Sequence, residues 1–286
     1  MKRFLSLDPQ QMAYLSPEDL FTSLKLSEGR IVVSEMLATH ALIPDCTNAE
    51  IARAFAADLM LLNLLDVTNP KVKNLPLSSS PISDLKKLCP RPFGVNLEPS
   101  ELVEAGRMAS SQNFMLAQQL GFDFVSITGN PATGVSLEGI IQAVKVAKQH
   151  FQGLVFAGKM HGAGEIEDLC DTSGIEQLLD AGTDVVMLPA PYTVPASTPE
   201  CAREAVSLIH KKGKMAMATI GTSQETANQA TIAQIALASK SAGFDLYHIG
   251  DAGVGGIAPP ENIQILSDTI RGNRHSLKMM ATSINR

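Results

Sequence analysis

Eight short apolar runs at near-constant spacing, each followed by a helical pattern, and a glycine–acid signature recurring at 61-residue intervals predict an α/β fold: a single (β/α)8 barrel with an N-terminal helical extension. The runs fall at residues 31–36, 59–66, 93–97, 124–128, 154–159, 185–189, 215–220 and 246–250. They are rich in Val, Ile, Leu, Phe and Met without polar alternation, as parallel strands covered on both faces are. Their starts are 28, 34, 31, 30, 31, 30 and 31 residues apart, room for one strand, one helix and two loops. A doubly wound open sheet would also alternate strand and helix. Eight near-equal units with no dinucleotide fingerprint after the first run favour closure.

Residues 1–29 precede the first run and contain Ser16-Pro17-Glu18-Asp19, a helix start with N-cap, first-turn proline and acids. This extension is expected to cover the bottom of the barrel, and residues 30–286 to form the barrel and C-terminal helix as one domain. Thr47 with Glu50 reads as a capping box and Thr198-Pro199-Glu200 as another helix start. Residues 69–83, with Pro70, Pro76 and Pro81, replace much of the second helix by a loop suited to a lid or an oligomer contact, which leaves a homo-oligomer open. Gly121-Phe122-Asp123, Gly182-Thr183-Asp184 and Gly243-Phe244-Asp245 each precede an apolar run, and Ala56-Ala57-Asp58 opens the second run similarly. Glycine can end a helix in the left-handed conformation, and aspartate can accept from free backbone donors where the chain enters a strand. These triplets therefore mark the structural face. The basic tail of Arg271, Arg274, His275, Lys278 and Arg286 reads as a solvated face of the last helix.

Of the 286 residues 45% are hydrophobic and 18% charged, which suits a compact chain with a large core. A net charge of -6 supplies no basic field for a nucleic-acid backbone, so nucleic acid is excluded as an expected partner. No apolar run reaches the ~20 residues of a membrane span; even the run ending at Leu65 is interrupted by Asn63. No membrane partner is expected. The four cysteines, Cys46, Cys89, Cys170 and Cys201, form no Cys-x-x-Cys pair, and the N-terminus has no apolar signal core. A reduced, cytoplasmic protein is the expectation. Cys170 falls in a helical pattern and reads as packing.

In such barrels reactive groups gather beyond the carboxyl ends of the strands. Those positions hold Glu35, Asp66, Asn96, Glu98, Thr128, Asn130, Lys159, His161, Thr219, Thr222, His248 and Asp251. Lys159 leaves an apolar strand. Desolvated, it would be a nucleophile for Schiff-base chemistry; charged, it would pair with Glu35 or Asp66, or bind substrate oxygens. His161, two residues on, would face the same side in extended backbone and place an acid–base group beside the amine, although a surface-loop histidine is the plainer alternative. His248 is either a proton carrier or a core histidine. Glu35, Asp66, Glu98 and Asp251 could act as general bases or hold a divalent cation, yet no compact metal-ligand motif occurs and the cofactor stays open. The expected catalytic set is Lys159, Glu35, Asp66 and His161.

The most specific stretch is His248-Ile249-Gly250-Asp251-Ala252-Gly253-Val254-Gly255-Gly256, which reads as strand, glycine loop and helix start. Amides of such a loop can hold a phosphate, with Gly221, Thr222 and Ser223 after the seventh run as partners. A glycine turn that binds nothing is the alternative, and Glu261 at the helix start would repel an anion. His248, Gly250, Asp251, Gly253 and Gly255 complete the expected phosphate-binding set.

On this glycine loop and on residues 181–188 (AGTDVVML) the chain resembles phosphate-binding TIM barrels. It also resembles a group of bacterial barrel proteins of unknown function, loosely described as phosphonomutase-like or hydrolase-like. The resemblance spans most of the chain and implies the fold and a phosphate site at Gly221, Thr222, Gly250, Gly253 and Gly255, but no catalytic residues. The Asp-x-Lys-x-x-Asp pattern of decarboxylase-type barrels is absent, and the sixth run carries no terminal lysine of the kind many Schiff-base aldolases have. The leading expectation is an enzyme acting on a small phosphorylated or otherwise anionic metabolite, by proton transfer beside a carbonyl or by aldol-type carbon–carbon cleavage. Metal-dependent enolate or phosphoryl chemistry, and a non-catalytic metabolite-binding barrel, are the alternatives.

Overall fold

The computed structural model describes residues 2–130, 132–160 and 171–286. Eight strands, β1 (Ile31–Leu37), β2 (Leu59–Asn63), β3 (Phe93–Leu97), β4 (Phe124–Ile127), β5 (Leu154–Gly158), β6 (Val185–Pro189), β7 (Met215–Ile220) and β8 (Leu246–Ile249), form a closed barrel in sequence order. Every neighbouring pair is parallel, and β8 returns beside β1 with Val33 opposite His248. Helices alternate with the strands, so the predicted barrel is the observed fold.

Period-two alternation sorts each strand into two layers. Val32, Met60, Val125 and Val186 face outward into a core shared with the helices. Ile31, Val33, Leu59, Leu61, Val185 and Met187 belong to a second cluster inside the barrel. Gly94 has no side chain at its inward position, and the Phe124 ring fills the space: a Cβ on Gly94 would lie 2.1 Å from it. Phe124 in turn stacks on Phe156, with ring centroids 4.5 Å apart. Phe4, Leu5, Leu7, Met12, Leu20 and Leu24 of the N-terminal segment pack into the same inner cluster, placing the extension against the barrel interior. Its helix Pro17–Lys25 begins at Ser16, whose side chain accepts from the Asp19 amide.

The three glycine–acid triplets and Ala56-Ala57-Asp58 perform one task four times. Asp58, Asp123, Asp184 and Asp245 each accept, through a side-chain oxygen, the amide of the first or second residue of the preceding odd strand: Val32 at 2.8 Å, Phe93 at 2.8 Å, Val155 at 3.0 Å and Ala216 at 2.8 Å. Each aspartate's own amide donates back to the carbonyl of that same residue, at 2.8–3.0 Å. Basic side chains close the clamps: Arg271 on Asp58, Lys86 on Asp123, Lys148 and Lys214 on Asp184, and His210 on Asp245. Gly121 and Gly243 end their helices at φ 84° and 101°, where a Cβ would strain the backbone.

Three expectations need correction. The second strand ends at Asn63, not Asp66, because Leu64 takes φ 55° and breaks the extended backbone. Arg271 is not on a solvated face: it is buried, pairs with Asp58 and donates to the carbonyls of Ala56 and Arg30. Cys46 and Cys89 are free thiols but Cys201 is disulfide-bonded, so the cysteines are not all reduced. No described helix is long and apolar enough to cross a membrane.

Candidate active site

Above the inner apolar layers the same inward positions turn polar. Continuing the alternation one step gives Glu35 above Val33, Asn63 above Leu61, Asn96 above Gly94, Ser126 above Phe124, Thr219 above Met217 and His248 above Leu246. All six are buried. The parallel register places Glu35 and His248 on adjacent strands, and their side chains meet with His248 Nε2 2.9 Å from Glu35 Oε2. Burial, with the charges of Glu225 and Glu98 nearby, pushes the Glu35 carboxyl up to about 8. Burial pushes His248 the other way, down to about 4. At neutral pH the contact therefore joins a protonated acid to a neutral imidazole, sharing one proton. Glu35 Oε1 and His248 Nδ1 have no hydrogen-bond partner among the described residues.

A second group assembles on β2, β3 and the loop after β4. Asn63 Nδ2 donates to Asp251 Oδ2 at 3.0 Å, while Asn63 Oδ1 accepts from Asn96 at 3.3 Å and Asn130 at 3.3 Å. Asn130 is held by Glu98, which accepts from its backbone amide at 2.8 Å and its side chain at 2.7 Å. Arg107 closes this chain on Glu98 at 2.9 Å, so buried Glu98 serves the Asn130 loop and is not a solvent-facing carboxylate. Asp251 is raised to about 7 by burial and by the charge of Glu35, against the Asn63 hydrogen bond. Asn96 Oδ1 and Thr128 Oγ1 are buried without a partner among the described residues.

The expected site residues separate. Glu35, His248 and Asp251 join one coupled cluster. Lys159 is buried immediately beyond β5, after Gly158, whose φ of 150° and close approach to Met187 O exclude a side chain there. Asp66 lies elsewhere: its carboxylate accepts from the amide and hydroxyl of Thr68, capping a turn against Gly106. His161 and Cys170 lie outside the described residues.

The glycine loop has a specific packing role. Gly253 lies against Ile257 O, Gly255 against the backbone of Leu42, and Gly256 against Leu37, where a Cβ would come within 2.0–2.7 Å. Leu37 N donates to Gly256 O and Asn48 to Gly255 O, tying this loop to the one after β1. The Ala252 amide is taken by Glu225 Oε1 at 3.1 Å. Gly221 is buried after β7; Thr222 and Ser223 follow at φ 56° and 66°, with the Thr222 hydroxyl on Gly221 O.

Asn63, Arg107 and Glu225 escaped the sequence reading. Asn63 did leave a signal: it is the polar residue in an apolar run at the parity of Leu59 and Leu61. Glu225 left none, because the short helical turn Gln224–Thr226 brings it back to β8 only in three dimensions. No group of three or more His, Cys, Asp or Glu side chains among the described residues is placed to hold a metal ion. The carboxylates are engaged separately by His248, Asn63, Arg107 and the Ala252 amide.

A family model described as a domain of unknown function, DUF7916, matches residues 5–286. The chain belongs to that family. A search of curated proteins returned no match. Solved structures similar to it include 2,3-dimethylmalate lyase, a member of the PEP mutase/isocitrate lyase superfamily, with a TM-score of 0.54 and 13% identity, covering 85% of this chain and 82% of that one. An archaeal fructose 1,6-bisphosphate aldolase has a TM-score of 0.56 and 13% identity, covering 87% and 98%. A putative lyase/mutase from Burkholderia cenocepacia has a TM-score of 0.51 and 15% identity, covering 93% and 94%. At these identities the likeness is one of fold.

Proposed function

We propose that this protein is an enzyme of the lyase or isomerase type that moves a proton beside the carbonyl of a small polar metabolite. The observation that carries the reading is the buried Glu35–His248 contact, in which one environment drives an acid up to about 8 and a base down to about 4. Titratable partners whose environments separate their proton affinities are the signature of assigned acid and base roles. A proton taken from carbon or from a hydroxyl onto Glu35 Oε1 releases the Oε2 proton to His248 Nε2. The buried imidazolium so formed is a strong acid and returns it on the reverse path. Asn96, whose side-chain nitrogen donates one of its two hydrogens to Asn63, is assigned to a substrate oxygen, and Lys159, buried just beyond β5, to polarising the carbonyl. Among the described residues the carboxylates do not form a ligand set, and the proton transfer is derived from Glu35 and His248 themselves. Two of the similar barrels carry lyase in their names and a third is an aldolase, which agrees with the class without fixing a substrate.

Solvent-exchange NMR in D2O on a panel of small 2-oxo and 3-hydroxy acids tests the reading. Wild type should catalyse deuterium incorporation next to the carbonyl of at least one compound, and Glu35→Gln and His248→Gln should each slow it by about 10²-fold or more. Exchange that survives both substitutions unchanged would remove Glu35 and His248 from the chemistry.

A further inference from the structure

Between the loops after β7 and β8, where barrels commonly hold a phosphate, this chain places a carboxylate of its own. Glu225 is buried, with 2% of its surface exposed. Its Oε1 accepts the Ala252 amide at 3.1 Å. The approach to β8 is close: a Cβ on Gly250 would stand 2.5 Å from Glu225 Oε1, so glycine there accommodates the chain's own anion. The position is fixed from behind by Asn262, whose side-chain nitrogen donates to Glu225 O and Ala227 O, each at 2.8 Å. Glu225 Oε2 is buried without a partner among the described residues. Burial, with Asp251 beside it, holds the carboxyl above its ordinary range, against the pull of two backbone amides and His248.

We infer that the Glu225 carboxyl group is a resident occupant of the amide site between the loops after β7 and β8, so that the barrel mouth takes an unphosphorylated ligand. A phosphate brought to these amides would have to displace a seated carboxylate and meet the charge of Asp251. The unpartnered Glu225 Oε2 instead suits a hydroxyl or ammonium donor on the ligand. This specifies the substrate class of the site proposed above, and rests on that reading only for which pocket the ligand enters.

Inorganic phosphate is the probe. Wild type, Glu225→Ala and Glu225→Gln are titrated with sodium phosphate against sodium chloride of matched ionic strength, with binding followed by calorimetry and thermal unfolding. Glu225→Ala, which vacates the amides, should bind phosphate at least tenfold more tightly than wild type. Glu225→Gln, which keeps the space filled, should not gain this affinity. Millimolar or tighter phosphate binding by wild type would overturn the inference and needs no variant to fold. A folded Glu225→Ala that gains nothing would overturn it too. Neither readout involves turnover, so failure here is separable from failure of the proton-exchange test, which turns on Glu35 and His248.

Discussion

Replacing Glu35 by Gln should change how stability depends on pH, by an amount the buried pair specifies. Folded Glu35 keeps its proton to about pH 8, whereas the unfolded chain releases it near 4.5. Between those values the folded state holds one more proton, so this stabilisation is complete below about pH 4.5 and is lost as pH rises through 8. His248 runs the opposite way: its folded value near 4 lies below 6.5, so its stabilisation is present above 6.5 and is lost as pH falls through 4. The two oppose each other between pH 4.5 and 6.5, and above 6.5 only the Glu35 half of the pair acts. At about 1.4 kcal/mol per pH unit, wild type should lose about 2 kcal/mol between pH 6.5 and 8 through Glu35. Asp251, raised to about 7 by burial and by Glu35, adds a smaller loss at the start of that window, and Glu35→Gln removes the Glu35 share of it. Glutamine cannot release a proton, yet its amide can still donate to His248 Nε2. The difference between wild type and Glu35→Gln therefore reports the Glu35 carboxyl together with its influence on Asp251. The chain has no Trp, so urea unfolding is best followed by far-ultraviolet circular dichroism at half-unit pH steps. Parallel pH curves for the two proteins over this window would refute the assignment of a protonated Glu35.

Other consequences are equally direct. Arg271→Ala strands the buried Asp58 carboxylate and should cost about 3–5 kcal/mol. With an unfolding entropy of about 2.1 cal/mol/K per residue, the 286-residue chain should lose about 5–8 °C in Tm by calorimetry; a loss under 1 °C would deny that clamp its weight. Gly250→Ala places a methyl against Glu225 Oε1 and should destabilise by about 1–3 kcal/mol. Most of that cost should disappear in the Glu225→Ala background, and an additive double-mutant cycle in urea would show that the two do not touch. Lys159→Met should remove solvent exchange while leaving the circular dichroism spectrum native, and retained exchange would exclude Lys159 from a role at the carbonyl.

The barrel and the direction of its strands were legible because they rest on local rules. Apolar runs, their regular separation and the Gly-x-Asp triplets each report backbone requirements within a few residues. The candidate site was legible in part. Glu35 and His248 stood out as polar residues in apolar strands, but their contact depends on closure bringing β8 beside β1. Asp66 was read as a strand-end carboxylate because the left-handed turn at Leu64 has no compositional mark; Asn63 holds the inward place. The loop from Gly250 to Gly256 looked like an anion cradle because glycine permits close approach by any neighbour. Composition does not say whether that neighbour is a ligand, the Leu42 backbone or the Glu225 carboxylate.

The four aspartate clamps at the bottom of the barrel also set how the molecule can be divided. Each ties an odd strand to the next even one, β1 to β2, β3 to β4, β5 to β6 and β7 to β8, by a reciprocal pair of hydrogen bonds independent of the loops above. The barrel is thus four two-strand staves with their own fasteners, and its natural seams lie after β2, β4 and β6. Chimeras joined at those seams keep every fastener within one parent, whereas chimeras joined within a stave set an aspartate of one parent against the strand amide of the other.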